Sequence, residues 1–159
     1  MYVQDQYEIL TEWCTMNEYN PALAEASIRC FKYNRTYTAL NLTLSLTRTI
    51  NVLTGKVYSK ILLSNTYREF PLSFGRNLCD MMKNNEFGFG NIFSCGNFTT
   101  CPLKTGSYRM CNWGPDYTKY PPNLVKGRFQ MDLVFFGDGA FIMNASWFFK
   151  LTYKNPALN

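Results

Sequence analysis

The sequence predicts an all-β protein built as a two-sheet antiparallel sandwich. Several segments alternate apolar and polar residues with period two, as half-buried strands do, whereas helical periodicity is limited to short stretches at 22–26 and 80–84. Seven or so strands, each with one apolar face, need a second sheet to cover that face. Six cysteines in 159 residues without histidine indicate disulfides rather than metal ligands. We therefore expect one disulfide-bonded domain spanning residues 1–159.

The clearest predicted strand covers residues 40–47. Its leucines share one face and its polar residues share the other: Leu40, Leu42, Leu44 and Leu46 against Asn41, Thr43, Ser45 and Thr47. An earlier strand is expected over 27–37, which is rich in aromatic residues. Residues 53–56 indicate a turn, so a strand over 57–63 is expected to pair back on 40–47 as a hairpin.

A second hairpin is predicted in the last third of the chain. The residues that share the apolar face of its first strand are Phe129, Met131, Leu133 and Phe135. Gly137-Asp138-Gly139 then indicates a turn. The following strand has a face made of Ala145, Trp147, Phe149, Leu151 and Tyr153. Polar residues, including Asn144 and Ser146, occupy its other face.

The cysteines and glycosylation motifs predict a secreted protein. An even number of cysteines suits an oxidising compartment, and six cysteines allow fifteen connectivities. Asn-x-Ser/Thr motifs begin at Asn34, Asn41, Asn97 and Asn144, and we expect glycans at such sites. Asn41 and Asn144 fall on the polar faces of predicted strands, so we expect both to be solvent-exposed. Residues 1–5 are too polar for a signal peptide, which suggests a mature chain. The sequence has no apolar run long enough to cross a bilayer.

The composition argues against several functions. The chain has no histidine. This excludes Ser-His-Asp and Cys-His catalytic sites, and histidine-ligated zinc hydrolases, in their usual forms. Carboxylate pairs could serve a glycosidase, but we interpret the candidates as solvated surface groups: Asp80, Glu86, Asp116, Asp132 and Asp138. The net charge of +5 comes from scattered basic residues and does not predict nucleic-acid binding. We expect no catalytic residue, no metal and no cofactor.

An ordered set of motifs lies between residues 77 and 135. Cys79-Asp80-Met81-Met82 is followed by Cys101-Pro102-Leu103-Lys104-Thr105-Gly106-Ser107-Tyr108, then by Pro121-Pro122 and a strand that begins at Gly127. With Tyr33-Asn34-Arg35-Thr36 upstream, this order resembles the ganglioside activator protein and its insect relatives, the chemosensory Che-B-type secreted proteins. The resemblance covers roughly residues 30 to 135. It implies a lipid-binding β-cup.

The resemblance also implies a Cys79–Cys101 disulfide. With that pair set, Cys95–Cys111 and Cys14–Cys30 are the expected remaining pairs. The ganglioside activator ties its N-terminal cysteine to one in its last strand, and the last strand predicted here has no cysteine. That bridge is therefore absent or replaced in this chain.

The function that the resemblance implies is non-catalytic binding, carriage or presentation of a lipid or pheromone-like amphiphile between the sheets. The residues expected to contact it are Leu42, Leu44, Phe87, Phe89, Phe93, Trp113, Phe129, Met131, Leu133, Trp147 and Phe149. The loops around Phe87, Phe89 and Trp113 would form the entrance, with a membrane surface or a receptor as a further partner. The same phenylalanines could instead belong to the core. The alternative function is a glycosylated extracellular interaction module or co-receptor with a filled core.

Overall fold

The computed structural model describes residues 2–155 and 157, which form eight strands, one α-helix and two 3₁₀ segments. In chain order they are β1 Tyr7–Tyr19, β2 Ala24–Asn34, β3 Tyr37–Leu46, β4 Leu53–Leu63, β5 Thr66–Asn77, α1 Leu78–Lys83, the 3₁₀ segment Glu86–Phe93, β6 Gly106–Trp113, a short 3₁₀ turn Tyr117–Lys119, β7 Gly127–Gly137 and β8 Ala140–Tyr153. No helix in this part of the chain is long and apolar enough to cross a membrane.

The strands form two antiparallel sheets, which confirms the predicted fold class. One sheet has five strands in the order β1-β8-β7-β4-β5, and the other has three in the order β2-β3-β6. Three disulfides reinforce them: Cys14–Cys30, Cys79–Cys101 and Cys95–Cys111. These are the same three pairs that were expected from the sequence. Cys14–Cys30 joins β1 to β2, so it links the two sheets directly.

The two clearest alternations have the predicted register. Leu40, Leu44 and Leu46 of β3 are buried, and so are alternate residues of β8 from Ala145 to Leu151. Asn41 and Asn144 lie on the opposite faces as predicted, but both are half-buried rather than fully exposed. The side-chain oxygen of Asn41 accepts a hydrogen bond from the backbone N–H of Asn112, and that of Asn144 accepts one from the side-chain amide of Asn17.

Residues 53–56 are not a turn, and this prediction is wrong. They open β4, which pairs with β5 and β7 and not with β3, so the predicted hairpin is wrong as well. Gly55 indicated a turn, yet it serves packing inside the strand. A Cβ at this position would lie 3.1 Å from Cδ1 of Leu78, so the glycine lets Leu78 lie against the sheet.

Other predictions of local structure had mixed outcomes. The predicted strand over 27–37 ends at Asn34, because a turn at 35–36 separates β2 from β3. The helical turn predicted over 22–26 is wrong, since Ala24 already begins β2.

The turn at 137–139 is confirmed, and the Asp138 carboxylate accepts hydrogen bonds from the backbone N–H groups of Asn51 and Val52. A helical turn near 80–84 is confirmed by α1.

The interior has two parts of different character. In the packed half, both sheets contribute buried side chains around Ile50, Leu103 and Ile142, each of which is almost completely buried. In the cavity half, the buried cluster comes from β1, β7 and β8 of the five-stranded sheet: Tyr7, Ile9, Phe129, Trp147, Phe149 and Leu151. The cavity half holds the candidate functional site.

Candidate ligand cavity

A cavity of about 510 Å³ lies between the two sheets in the cavity half. The inner faces of β4, β5, β7 and β8 form its floor, and Ile28, Leu40 and Trp113 of the three-stranded sheet reach it from the other side. Helix α1, the 3₁₀ segment and the loop 120–125 contribute the rest of the wall. This volume falls in the range of about 300–1,000 Å³ that is typical of small-molecule sites.

A row of five aromatic rings crosses the cavity. Trp113 and Trp147 meet edge to face with their ring centroids 5.9 Å apart, and Trp147 lies 4.4 Å from Phe149. Phe149 stacks on Phe129 at 5.4 Å, and Phe129 meets Phe70 at 5.6 Å. The row therefore runs from β6 through β8 and β7 to β5, and it offers a continuous apolar surface to a ligand.

Both indole N–H groups of this row have partners outside the cavity's apolar lining. Trp147 Nε1 donates to Thr11 Oγ1 at 3.0 Å, and Trp113 Nε1 donates to Asn91 Oδ1 at 2.9 Å. Buried indoles usually have such a partner. Because the N–H groups are satisfied in this way, neither indole needs a hydrogen bond from a ligand.

A bulge in β5 widens the wall of the cavity. Residues 70–72 of β5 lie opposite the single residue Ser59 of β4, since the pairs on either side of the bulge are Tyr58↔Ser73 and Lys60↔Glu69. Pro71 stands in the middle of this stretch and has no N–H group to donate to the neighbouring strand. Proline is tolerated here because β5 is an edge strand. The bulge brings Phe70, Pro71 and Leu72 together into the lining.

Exposed apolar side chains mark the rim of the cavity. Leu72, Phe74 and Val125 all line it, and they are 39%, 37% and 51% exposed. Val125 belongs to the loop 120–125, which two tyrosine hydroxyls hold in place. Tyr7 donates to the carbonyl oxygen of Pro121 at 2.7 Å, and Tyr153 donates to that of Leu124.

Tyr120 brings a hydroxyl group to the cavity wall without bringing a charge. Burial raises the pKa of this phenol well above its usual value, and the nearby Tyr7 and Asp116 raise it further. Tyr120 therefore stays neutral at any physiological pH. The lining is accordingly apolar with neutral polar groups, apart from Lys56 and Arg76, which are exposed residues.

The 3₁₀ segment is a built part of the cavity wall. Phe87 and Phe89 are half-buried and line the cavity, and Phe87 also stacks on Tyr2 with the centroids 6.3 Å apart. Gly88 between them has a φ of +75°, and a Cβ there would lie 2.7 Å from Cβ of Asp116. A larger residue at this position would force the segment away from the residues that follow β6.

Eight of the eleven predicted contact residues line the cavity: Phe87, Phe89, Trp113, Phe129, Met131, Leu133, Trp147 and Phe149. Leu44 and Leu42 belong to the packed half instead, and Phe93 is 37% exposed outside the cavity lining. That any of these residues contacts a ligand remains a prediction. The sequence did not reveal the lining residues of β5, because the bulge breaks the period-two pattern by which strands are recognised.

A polar recess of about 610 Å³ adjoins the cavity and shares Arg76 and Phe87 with it. Asp80 and Glu86, two of the carboxylates considered for catalysis, line this recess together with Lys119. Both carboxylates are exposed, which agrees with their interpretation as solvated groups. Asp132 instead pairs with Lys60 at 3.3 Å.

The four glycosylation motifs differ in how the asparagine amide is used. At Asn34, Asn41 and Asn144 the side-chain oxygen accepts hydrogen bonds. At Asn97 both ends are used, since the oxygen accepts from the N–H of Arg109 and the nitrogen donates to the carbonyl oxygen of Ser107 at 2.9 Å. A glycan is attached to this nitrogen, so Asn97 is the site at which glycosylation would disturb an existing contact.

The fold and the site define a disulfide-bonded β-sandwich with an apolar cavity between its sheets. Residues 53–131 match the family described as "Protein of unknown function (DUF1091)", and this stretch contains β4, β5, α1, the 3₁₀ segment and the loop 120–125. No curated protein matches the chain. Among solved structures, the Niemann-Pick type C2 protein from Japanese carpenter ant is similar at 9% identity, over 93% of this chain and 96% of that chain, with a TM-score of 0.35. At this TM-score the similarity supports no inference about the ligand.

Proposed function

We propose that this protein binds a hydrophobic small molecule in the cavity between its sheets and carries or presents it without chemical change. The observation that carries the proposal is a cavity of about 510 Å³ with an almost wholly apolar lining and an exposed apolar rim. Burial supplies the driving force, since apolar surface removed from water contributes about 25 cal/mol per Å². Met131 suits such a wall, because its flexible thioether adapts to ligand shape.

The ligand class we favour is a long-chain lipid or a pheromone-like amphiphile, as the motif resemblance implies. Three disulfides support an extracellular location, and Asn34, the exposed asparagine at the end of β2, supports glycosylation. The apolar rim of Leu72, Phe74 and Val125 and the net charge of +5 favour transfer at an anionic membrane surface or to a receptor.

The alternative function, an interaction module with a filled core, has less support. It requires side chains to fill the space between the sheets throughout. The packed half meets this condition, but the cavity half does not, since a cavity of about 510 Å³ remains between its five-stranded floor and a cover to which the other sheet contributes only Ile28, Leu40 and Trp113. The contrast favours a carrier.

Two variants of strand β7 test the proposal. Leu133 lines the cavity, and Val134 beside it does not. Leu133→Trp should fill the cavity and weaken binding of the neutral fluorescent probe N-phenyl-1-naphthylamine at least tenfold, whereas Val134→Trp should leave it within about twofold. Thermal melting checks that both variants fold. If the wild-type protein takes up no probe, or if both variants bind it equally well, the carrier proposal fails.

A further inference from the structure

One polar atom of the cavity wall is buried without a hydrogen-bond partner. Ser59 lies in β4 on the inner face of the five-stranded sheet, and the residue is only 4% exposed. Its Oγ atom has no partner within the described residues, and it is the single buried side-chain nitrogen or oxygen there of which this is true. Buried polar groups nearly always have a partner, so this hydroxyl requires an explanation.

The surroundings of Ser59 are apolar and open towards the cavity. Met131 of β7 pairs with Ser59 on one side, and the bulged residues 70–72 of β5 lie opposite it on the other. Met131, Phe70 and Leu72 line the same cavity. Ser59 therefore stands on the floor of an apolar chamber, between the aromatic row and the rim, and in this conformation its Oγ atom is covered by neighbouring atoms.

The two basic residues of the lining hold their charged ends outside the cavity or at its rim. The Lys56 ammonium lies over the ring of Phe136 at 5.5 Å, and the Arg76 guanidinium lies over that of Phe74 at 5.6 Å. Phe136 is not part of the cavity lining, and Arg76 is an exposed residue. A carboxylate beside Ser59 would thus lack a counter-charge in an apolar chamber, which is unfavourable.

We propose that Ser59 Oγ is the internal anchor of the cavity: by rotation about χ1 the hydroxyl turns into the cavity and hydrogen-bonds a neutral oxygen, the hydroxyl or carbonyl of a long apolar ligand. This inference rests on the proposed function and narrows its ligand class to neutral long-chain alcohols, ketones, aldehydes or esters whose polar group enters the cavity. A hydroxyl can both donate and accept, so Ser59 serves either kind of oxygen. An ionised fatty acid would instead keep its carboxylate at the rim and leave Ser59 unused.

The test measures displacement of N-phenyl-1-naphthylamine by dodecan-1-ol, dodecane and dodecanoate. Four proteins are compared: the wild type, Ser59→Ala, Ser59→Thr and Ser73→Ala, the last a matched control on an exposed serine of β5 outside the lining. Ser59→Ala should lower the affinity for dodecan-1-ol about fivefold, the effect of losing one neutral hydrogen bond. It should leave dodecane unchanged or slightly tighter. Ser59→Thr, which keeps a hydroxyl, should retain the alcohol affinity, and Ser73→Ala should behave as the wild type.

The outcomes separate the two proposals. If all proteins bind the probe and the alcohol loses no more affinity than the alkane in Ser59→Ala, the anchor is overturned and the carrier function stands. Tighter binding of dodecanoate than of dodecan-1-ol, with no dependence on Ser59, overturns the anchor in favour of a charged head group at the rim. If the folded wild-type protein takes up neither the probe nor any competitor, the carrier function fails and the anchor fails with it.

Discussion

The packed half and the cavity half share the same five-stranded sheet, yet only one of them is filled. In the packed half, the three-stranded sheet faces it directly, and β2, β3 and β8 contribute interlocking residues such as Ala26, Leu44 and Ile142. In the cavity half, the buried cluster and the partly buried residues packed on it contain no member of β2, β3 or β6. The difference shows that the smaller sheet covers the cavity half only in part, through Ile28, Leu40 and Trp113, and that loops and short helices cover the remainder.

The covalent links gather in the packed half. Cys14–Cys30 joins the two sheets there, since Cys14 belongs to the buried cluster, and Cys79 and Cys101 pack against the same cluster. Cys79–Cys101 ties α1, which lines part of the cavity, to the loop before β6. The helical wall of the cavity is thus fastened to the packed half.

The largest effect on stability is expected in the packed half. Leu103 is fully buried and its backbone forms a bridge with Ile50, so Leu103→Ala should lower the free energy of unfolding by about 3 kcal/mol. Met131→Ala, at the half-buried cavity wall, should cost about 1 kcal/mol or less, because its site already borders open space. Denaturant unfolding measures both. Equal losses would contradict the division into two halves.

A charge on the cavity floor should damage both stability and binding. Met131→Glu places a carboxylate among Phe129, Leu133 and Trp147, which should cost about 2 kcal/mol and abolish uptake of N-phenyl-1-naphthylamine. Gln130→Glu, on the other face of the same strand, is the control and should bind the probe normally. Retained uptake by Met131→Glu would mean that the probe binds elsewhere.

The 3₁₀ segment should affect binding more than stability. Phe87→Ser and Phe89→Ser remove apolar contacts from the cavity wall, so probe affinity should fall severalfold while unfolding changes by about 1 kcal/mol or less. Phe93→Ser is the matched control, since Phe93 belongs to the same segment but not to the lining. A loss of stability at Phe87 as large as that of Leu103→Ala would assign the segment to the core.

The smallest effect concerns pH and the outer face of the five-stranded sheet. Burial raises the pKa of Asp132, but hydrogen bonds from Ser146 and Gln130 and the charge of Lys60 outweigh it and hold the pKa below its ordinary value of 3.8. Asp132 therefore stabilises the fold above that value, and the contribution is lost as the pH falls through the lower folded pKa. Asp132→Asn should reduce the loss of unfolding free energy at acidic pH by less than about 1 kcal/mol. Unfolding curves at several acidic pH values check it, and an unchanged acid dependence would contradict it.

The sequence predicted those parts of the fold in which local pattern and tertiary packing agree. The alternation of Leu40 to Leu46 and of Ala145 to Leu151 identified the buried face of one strand in each sheet. The register of such a strand is well determined, because shifting it by one residue would expose all of its apolar side chains. The turn at Asp138 was equally clear from its glycines. Gly55 led to the wrong prediction of a turn at residues 53–56. This glycine makes room for Leu78, which is distant in sequence and therefore absent from any local pattern.

The site was only partly visible for a related reason. Trp147, Phe149 and Phe129 follow regular alternation, so their shared inner face was predicted. Which part of that face borders open space depends on how the other sheet, the loops and the short helices cover it, and no local pattern contains that information. Leu44 has the same pattern and lies in the packed half. Ser59 gave no signal, because a serine in a strand is ordinary until its neighbours are known.

The bulge in β5 also affects whether this edge of the sheet can pair with a strand of another molecule. An edge strand exposes a row of backbone donors and acceptors to which a strand of another molecule can add, which is a route to aggregation. In β5 the regular ladder is broken into residues 66–69 and 73–77, and Pro71 removes a donor between them. An incoming strand therefore finds no long uniform register on this edge. The irregularity that brings residues 70–72 into the cavity lining thus also hinders intermolecular pairing at this edge of the sheet.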